Sequence, residues 1–312
     1  MIYQKICYYL EEVERIVRGE MQYPISVEID PSNRCQNDCS FCMYRKYRNE
    51  NNVDLRLDIY AKLLGSLSDV GVKSITFTGG GEPTMHPEFE SMVYQALARG
   101  FEVGLVTNGI KLSSFPDLLG AFKFVRISVD AATRETYAKI KRADQFHLVA
   151  DEIRNFKTRK DRSRTTFGIS FVVCEENKNE ISIFKNKFRD HVDYIQIKPD
   201  VFYMQMPDGV EDGKTAVTSR YLPLDTLPCD IAGLVGIVGA DGNIYFCCQT
   251  RGKEEYCIGS LYEEDFRMIW FRRKLIKPDI SSCPPCRYMN YAEDYERYKG
   301  SKYSYLRHRN FL

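Results

Sequence analysis

This sequence lacks a large net charge, long apolar runs and a secretory signal, and each absence excludes a class of protein. The 312 residues carry 44 Lys and Arg against 43 Asp and Glu, so the chain lacks the one-signed charge typical of proteins that bind nucleic acids or membrane surfaces. No apolar run approaches the length of a membrane-spanning helix. Residues 1–12 contain charges where a secretory signal needs an apolar core. We therefore expect a cytoplasmic globular protein.

The eleven cysteines are the most informative residues, and their odd number fits poorly with complete disulfide pairing. In the cytoplasm, cysteines serve more often as metal ligands or reactive thiols. Cys35, Cys39 and Cys42 form a C-x3-C-x2-C loop directly after the apolar run 25–29. Three thiolates on one loop can bind three irons of a cubic iron–sulfur cluster, which leaves the fourth iron open to a small molecule. A zinc knuckle and unpaired structural cysteines are the alternatives.

Apolar strand-like runs alternate with helical patterns between residues 24 and 204. The predicted strands are 25–29, 74–78, 102–107, 124–129, 166–173 and 193–197, and the predicted helices lie near 55–70, 86–99, 112–120, 133–159 and 177–189. Six βα units of this length predict an α/β fold, a partial (β/α)6 TIM-type barrel around a parallel sheet. In such barrels the chemistry gathers at the C-terminal ends of the strands, where the cysteine loop falls.

The pattern changes on both sides of the predicted barrel. Residues 1–23 predict a helical extension, with an amphipathic helix at 8–19, and residues 205–228 predict a linker or loop rich in Pro, Gly, Asp and Thr. Residues 229–312 predict a small C-terminal domain. It consists of a β-hairpin with strands 234–238 and 244–247 around an Asp-Gly turn, followed by a helix at 263–274.

Glycines and polar residues follow successive predicted strands. The second strand ends in Thr78-Gly-Gly-Gly-Glu-Pro83, where glycines let a ligand approach the backbone and the carboxylate can receive an ammonium group. Asn108, Ser128 and Asp130 stand at the ends of the third and fourth strands, which suits a pocket lining. A tight turn and helix N-caps are the alternative interpretations.

In this order, the cysteine loop, the glycine turn and the polar strand ends resemble the radical S-adenosylmethionine (radical SAM) superfamily over residues 24–200. The resemblance implies a 4Fe–4S cluster on Cys35, Cys39 and Cys42. It also implies reductive cleavage of S-adenosylmethionine to a 5′-deoxyadenosyl radical, which removes hydrogen from an unactivated C–H bond. The implied cofactor-binding residues are Phe41, Gly80, Gly81, Glu82, Pro83, Asn108, Ser128, Asp130 and Lys198.

The resemblance also implies a role for each part of this set. The backbone and carboxylate of the turn around Glu82 would grip the amino group of S-adenosylmethionine. Ser128 and Asp130 would contact the ribose, and the strand with Lys198 would contact the adenine.

A second set of four cysteines lies in the C-terminal part. From the residues alone, four such thiolates can hold a second cluster or a structural zinc. The set resembles the Twitch domain, a shortened SPASM domain, and the resemblance implies one auxiliary 4Fe–4S cluster. The four are Cys229, Cys247, Cys283 and Cys286.

Four cysteines remain outside both sets. Cys7 is expected to be a small buried hydrophobe. Cys174, Cys248 and Cys257 are candidate catalytic residues, since thiols return a hydrogen atom to the substrate in radical SAM epimerases. Cys248 or Cys257 can instead replace an auxiliary ligand. Gln249 resembles a position that lines the substrate pocket in Twitch dehydrogenases.

The sequence predicts an oxidoreductase or isomerase acting on a small polar substrate of sugar or aminocyclitol type, with oxidation or epimerisation as the outcome. A peptide-modifying reaction comes second, because only about twenty residues precede the first predicted strand. Tyr44–Arg48 and Tyr295–Leu312 mix aromatic and basic residues, which keeps a nucleotide or nucleic acid as an alternative. A zinc-stabilised binding module is the non-enzyme alternative. A flavodoxin or ferredoxin is the implied electron donor.

Overall fold

The computed structural model describes residues 8–50, 52–156, 164–199, 215–217 and 229–276. Within these ranges, ten strands form one sheet. The strands are β1 (Ser26–Ile29), β2 (Ser74–Phe77), β3 (Glu102–Thr107), β4 (Phe124–Ser128), β5 (Thr166–Val173), β6 (Tyr194–Pro199), β7 (Thr215–Val217), β8 (Val235–Val238), β9 (Asn243–Tyr245) and β10 (Cys257–Ser260).

Strands β1 to β7 are parallel neighbours in chain order. The first six coincide with the six predicted strands, so the fold is the predicted partial (β/α)6 barrel. Strand β8 lies beside β1 and runs parallel to it, with Ser26 level with Val235 and Ile29 level with Val238. Strands β9 and β10 follow as antiparallel neighbours. The C-terminal hairpin therefore extends the sheet of the barrel.

Eight α-helices connect and flank these strands. They are α1 (Leu10–Val17), α2 (Arg45–Glu50), α3 (Leu57–Asp69), α4 (Phe89–Ala98), α5 (Arg134–Lys141), α6 (Phe146–Phe156), α7 (Ile181–Phe188) and α8 (Phe266–Phe271). The helix predicted at 112–120 is instead two short 3-10 helices, Leu112–Ser114 and Pro116–Ala121. Pro116 explains the difference, because it lacks an N–H and disfavours helical dihedrals at Phe115, where φ is −129° and ψ is 54°.

The barrel strands divide their side chains between two faces, because successive residues of a strand point to opposite sides. On β1, Val27 and Ile29 join the hydrophobic core beneath the helices. Glu28 and Asp30 have the opposite phase, and both are buried. The inner face of the sheet therefore carries polar and charged groups that are shielded from solvent.

Three details differ from the sequence-based expectations. A short strand, β7, lies inside the segment predicted as a linker at 205–228. Strand β10 has no counterpart in the predicted hairpin, because a register shift between Cys257 and Gly259 interrupts its alternation. The helix predicted at 263–274 is α8 followed by the 3-10 helix Arg272–Leu275.

Some expectations concern parts of the chain that the structure does not describe. Cys7, Cys283 and Cys286 lie outside the described residues. Among the helices that are described, none is long and apolar enough to cross a bilayer.

Candidate active site

The cysteine loop follows β1 and is anchored by its backbone to the end of α5. The Asp38 N–H donates to the Lys141 carbonyl at 2.9 Å, and the Ser40 N–H donates to the Ile140 carbonyl at 2.8 Å. From α2, the Arg48 guanidinium donates to the carbonyl of Asn37 at 2.7 Å. These bonds fix the loop from both sides, so its thiols are held by neighbouring elements rather than by the loop alone.

The three thiols of this loop suit an iron–sulfur cluster. Cys35, Cys39 and Cys42 are free and only partly buried, so their sulfur atoms are available to a ligand. The amide nitrogen of Asn108 lies 3.9 Å from the Cys35 sulfur, which brings the end of β3 to the cysteine loop. Burial raises the pKa of the Cys35 thiol to about 11 and also raises that of Cys39, so iron binding must displace these protons. Three soft thiolates on one anchored loop fit the predicted cluster.

The glycine turn after β2 packs directly on the start of the cysteine loop. The Glu82 N–H donates to the Arg34 carbonyl at 2.8 Å. A Cβ atom on Gly81 would lie 2.5 Å from the same Arg34 oxygen, and one on Gly80 would lie 2.7 Å from the ring of Tyr47. These glycines allow a backbone approach that no other residue permits. The turn and the cysteine loop therefore form one unit.

A Gly81→Ala variant is expected to lose about 1–3 kcal/mol of unfolding free energy, because its methyl group would overlap the backbone at Arg34. The displaced cysteine loop should also hold less iron after reconstitution. Gly65→Ala on α3 is the matched control, since nothing lies within 4 Å of its added Cβ. A helix-interior Gly→Ala change should leave stability equal or raise it by about 0.5–1 kcal/mol. Equal melting temperatures for Gly81→Ala and wild type would contradict this packing.

The Glu82 carboxylate is committed to contacts inside the protein. It accepts hydrogen bonds from the Thr84 hydroxyl at 2.6 Å, the Thr107 hydroxyl at 2.5 Å and the Asn108 N–H at 2.6 Å. Glu82 is 2 % exposed. Burial raises the pKa of its carboxyl group, although the hydrogen bonds from these donors act to lower it. We infer that Glu82 ties the glycine turn to the end of β3, and its contact with the cofactor stays a prediction.

Asp130 also makes contacts within the protein, and its predicted contact with the ribose stays a prediction. It has a positive φ of 64°, and its carboxylate forms a buried ion pair with Lys141 and accepts the Val172 N–H at 2.7 Å. The Lys141 ammonium lies 5.5 Å from the centre of the Phe41 ring. Burial acts to lower the pKa of Lys141. The charges of Asp130 and Cys39 raise it by more, so the pKa of Lys141 lies above its ordinary value. We infer that the ion pair of Asp130 and Lys141 stabilises the position of the cysteine loop, because Lys141 also contacts the ring of Phe41 in that loop.

Sequence reasoning missed Lys141, since a single lysine at the end of a helix carries no motif. The other predicted strand-end residues line the same inner face. The hydroxyl of Ser128 lies 3.4 Å from that of Ser170, and Lys198 is level with Val172 in the register of β5 and β6. Ser128 and Lys198 therefore lie on the inner face of the sheet, and their cofactor contacts remain predictions.

A second buried network, also missed, joins the C-terminal hairpin to the barrel. The Arg251 guanidinium lies 2.7 Å from the Asp30 carboxylate, 3.5 Å from that of Glu28 and 4.9 Å from the centre of the Tyr44 ring. The Tyr44 hydroxyl donates to the Cys248 carbonyl at 2.8 Å. Burial raises the pKa of Asp30 to about 7, against the opposing charge of Arg251. The loop after β9 is thereby fixed to the end of β1 and to Tyr44, which directly precedes α2.

The C-terminal cysteines are distributed over different environments. Cys247 is buried in a cluster with Ala232 and Phe246, near the 3-10 helix Cys229–Leu234 that begins with another predicted ligand. Cys257 lies on β10, where its thiol donates to the Gly259 carbonyl at 3.6 Å. Gln249 follows the pair Cys247 and Cys248, and its side-chain oxygen is buried without a hydrogen-bond partner among the described residues.

Comparison with protein families decides the identity of this arrangement. The family model of the radical SAM superfamily matches residues 29–186, which contain the cysteine loop, the glycine turn and strands β2 to β5. This chain belongs to the radical SAM superfamily. A second model, the SPASM iron–sulfur cluster-binding domain, matches residues 229–291. The radical SAM enzyme therefore uses a 4Fe–4S cluster and S-adenosylmethionine, together with auxiliary iron–sulfur binding in its C-terminal part.

Relatives of named function are similar to this enzyme over part of its length. A GTP 3′,8-cyclase of Clostridium acetobutylicum is 29 % identical over 235 residues, which cover 70 % of this chain and 71 % of the relative. A tungsten-containing aldehyde ferredoxin oxidoreductase cofactor-modifying protein of Pyrococcus furiosus is 35 % identical over 86 residues, 27 % of this chain and 24 % of the relative. An S-adenosylmethionine-dependent nucleotide dehydratase of Selenomonas ruminantium is 28 % identical over 120 residues, 37 % and 42 % of the two chains.

Solved structures share the fold of this radical SAM enzyme. Streptococcus suis SuiB bound to its precursor peptide SuiA superposes with a TM-score of 0.66 at 14 % identity, covering 93 % of this chain and 75 % of SuiB. The structure of anSMEcpe with bound AdoMet gives a TM-score of 0.57 at 17 % identity, covering 86 % and 88 %. At these identities the likeness concerns the fold alone.

Proposed function

We propose that this enzyme removes a hydrogen atom from a small polar substrate, of sugar or aminocyclitol type, held on the inner face of the barrel. Oxidation or epimerisation of the substrate would follow. The reduced cluster and S-adenosylmethionine, when bound, supply the radical that takes this hydrogen. The observation that carries the proposal is a polar inner surface above an aromatic floor.

The floor consists of two aromatic rings that lie on glycines. The Phe124 ring occupies the space that a Cβ on Gly104 would fill, and the Tyr194 ring does the same at Gly168. Each ring and its glycine are level in the sheet register. These two rings fill the inner face near the N-terminal ends of β4 and β6. A site above them is shielded from water on that side, which supports radical chemistry there.

Polar side chains follow on the same face, nearer the C-terminal ends of the strands. Ser128 on β4 is level with Ser170 on β5, and Ser170 is level with Gln196 on β6. A few hydroxyl and amide groups in a shielded site orient a small substrate by hydrogen bonding. These three residues lie near the C-terminal ends of their strands, and the cysteine loop follows the C-terminal end of β1. This shared edge of the sheet supports a hydroxyl-rich substrate beside the cofactor.

The two outcomes place different demands on the thiols. Epimerisation requires a protonated thiol to return a hydrogen atom. Burial raises the pKa of Cys174 to about 12 and also raises that of Cys257, so both keep their protons near neutral pH. Oxidation instead requires an acceptor for the second electron, a role open to the auxiliary iron–sulfur site. Cys174, Cys248 and Cys257 therefore remain candidates for the hydrogen donor.

The test uses reconstituted, reduced enzyme with candidate sugars and aminocyclitols deuterated at single C–H positions. Deuterium should appear in 5′-deoxyadenosine from one position of a true substrate. A ketone product would establish oxidation, and solvent deuterium at the same carbon would establish epimerisation. Formation of 5′-deoxyadenosine without deuterium transfer from any sugar or aminocyclitol would contradict the proposed substrate class.

A nucleotide is the second candidate, favoured by the names of two relatives and by Arg126. This residue lies on β4 between Phe124 and Ser128 on the inner face, and its Nε atom is buried with no hydrogen-bond partner among the described residues. A guanidinium so placed suits a phosphate group. If the substrate is phosphorylated, Arg126→Gln should raise its KM by about 10- to 100-fold, the effect of losing a charge-assisted hydrogen bond.

GTP, which appears in the name of one relative, serves as the phosphorylated test substrate. Lys123→Gln is the control for Arg126→Gln, because Lys123 is an exposed cation directly before the same strand. The KM of Lys123→Gln for GTP should stay at the wild-type value. An unchanged KM for GTP in Arg126→Gln would exclude a phosphate contact at this position.

A further inference from the structure

A cavity of about 600 Å³ opens beside the C-terminal hairpin, and its lining includes β9, β10 and Tyr47 from α2. Tyr245 on β9 is level with Cys257 on one side and with Ile237 on the other. Ile237 is in turn level with Glu28. Residues level in neighbouring strands share a face of the sheet. The cavity therefore continues the inner face of the barrel onto the hairpin.

Carboxylates dominate the charge of this cavity. Asp241, Glu254 and Glu263 line it, against one guanidinium from Arg272. Arg272 forms an ion pair with Glu264 and also interacts with the charge of Glu263, so one guanidinium offsets only part of the negative charge of the lining.

Tyr47 is a buried polar side chain that faces this cavity without a partner. It is 5 % exposed, and its hydroxyl has no hydrogen-bond partner among the residues that the structure describes. Its ring packs edge-to-face on Tyr245, with centroids 6.3 Å apart. A Cβ on Gly80 would lie 2.7 Å from the ring, and one on Gly252 would lie 2.5 Å from it. Tyr47 therefore forms the wall between the cavity and the glycine turn.

We propose that this cavity binds an organic ammonium group of the substrate. The proposal rests on the proposed function and narrows its substrate class to amines, such as amino sugars, aminocyclitols or polyamines. The carboxylates would pair with the ammonium charge, the faces of the two tyrosines attract cations, and the Tyr47 hydroxyl would accept an N–H donor. The glycine turn lies on the other side of the Tyr47 ring, so the thickness of this ring would separate a bound amine from the turn.

The test measures binding of amines to the reconstituted full-length enzyme at pH 7 by ligand-observed NMR. Glucosamine, spermidine and lysine amide are each compared with the derivative in which every amine is acetylated, which lacks the charge. At least one amine should bind at least about tenfold more tightly than its acetylated form. The double variant Glu254→Gln/Glu263→Gln should weaken that amine about tenfold. Tyr47→Phe, which keeps the ring and its packing, should weaken it about threefold to tenfold.

Glu88→Gln/Glu90→Gln on α4 is the control, since it removes two carboxylates that lie outside the cavity. It should leave amine binding unchanged. The proposal is overturned if no amine binds more tightly than its acetyl derivative, or if both double variants weaken binding equally.

The same preparations are assayed for 5′-deoxyadenosine, which separates two kinds of failure. Cleavage of S-adenosylmethionine without amine selectivity would sink the ammonium site and leave the proposed function standing. Selective amine binding without hydrogen transfer from any sugar or aminocyclitol would leave the ammonium site standing and contradict the proposed function.

Discussion

A Cys35→Ala/Cys39→Ala/Cys42→Ala variant is expected to hold about four of the eight irons of the wild type and to form no 5′-deoxyadenosine. The thiols lie on one anchored loop. Cys35 has two polar neighbours, Asn108 and Gln36, and their amide groups bind iron poorly. Neither amide replaces the lost ligands, so the loss of one cubic cluster should be complete. Iron and sulfide analysis after anaerobic reconstitution, with an assay of cleavage, measures both effects.

Cys174→Ser provides the control for iron content. Cys174 is buried at the end of β5, where its N–H donates to the Asn177 side chain at 2.8 Å, and it belongs to neither predicted ligand set. This variant should keep all of the iron. A triple variant that still holds eight irons, or that still cleaves S-adenosylmethionine, would show that these cysteines are not the ligands.

A Lys141→Met variant is expected to lose about 3–5 kcal/mol of unfolding free energy, because it leaves the Asp130 carboxylate buried without its counter-charge. The side chains of the pair are 3 % and 1 % exposed, so water cannot replace the lost ammonium. The cysteine loop should also become looser, since Phe41 and the backbone at Asp38 both rest on the end of α5. Chemical denaturation measures the loss in stability.

Arg134→Gln on the same helix is the matched control. Its ion pair with Asp144 is more than half exposed on both sides, so its removal should change stability by less than about 1 kcal/mol. The double variant Asp130→Asn/Lys141→Met removes both charges and should recover part of the loss, because Asn tolerates the positive φ at this position. A stability loss in Lys141→Met no larger than in Arg134→Gln would contradict a buried pair.

The parts of the fold that repeat were predictable from the sequence. The six barrel strands emerged from apolar runs with intervening helical patterns, because burial on both faces leaves a continuous signal in each strand. The C-x3-C-x2-C loop and the glycine turn were predictable for a different reason. Both depend on local backbone geometry, so their residue types and spacing stay visible in sequence.

The parts that depend on distant contacts were not predictable. Pairing of β8 with β1 joins residues about two hundred positions apart, and no local pattern encodes it. Arg251 lies in a turn after β9, and its partners are Glu28 on β1 and Asp30 directly after β1. The internal partners of Glu82 and Asp130, which are Thr107 and Lys141, were not predictable either, and the predicted cofactor contacts of both carboxylates stay predictions. Whether a strand-end carboxylate faces a ligand or a lysine is decided by the helix packed behind it.

The most direct test of the central claim is electron paramagnetic resonance of the reduced, reconstituted enzyme before and after S-adenosylmethionine is added. We expect a cubane signal that shifts on addition and that is absent from the Cys35→Ala/Cys39→Ala/Cys42→Ala variant. A signal that is unchanged by the nucleotide, or equally present in the variant, would show that the loop after β1 does not hold the cluster that binds it.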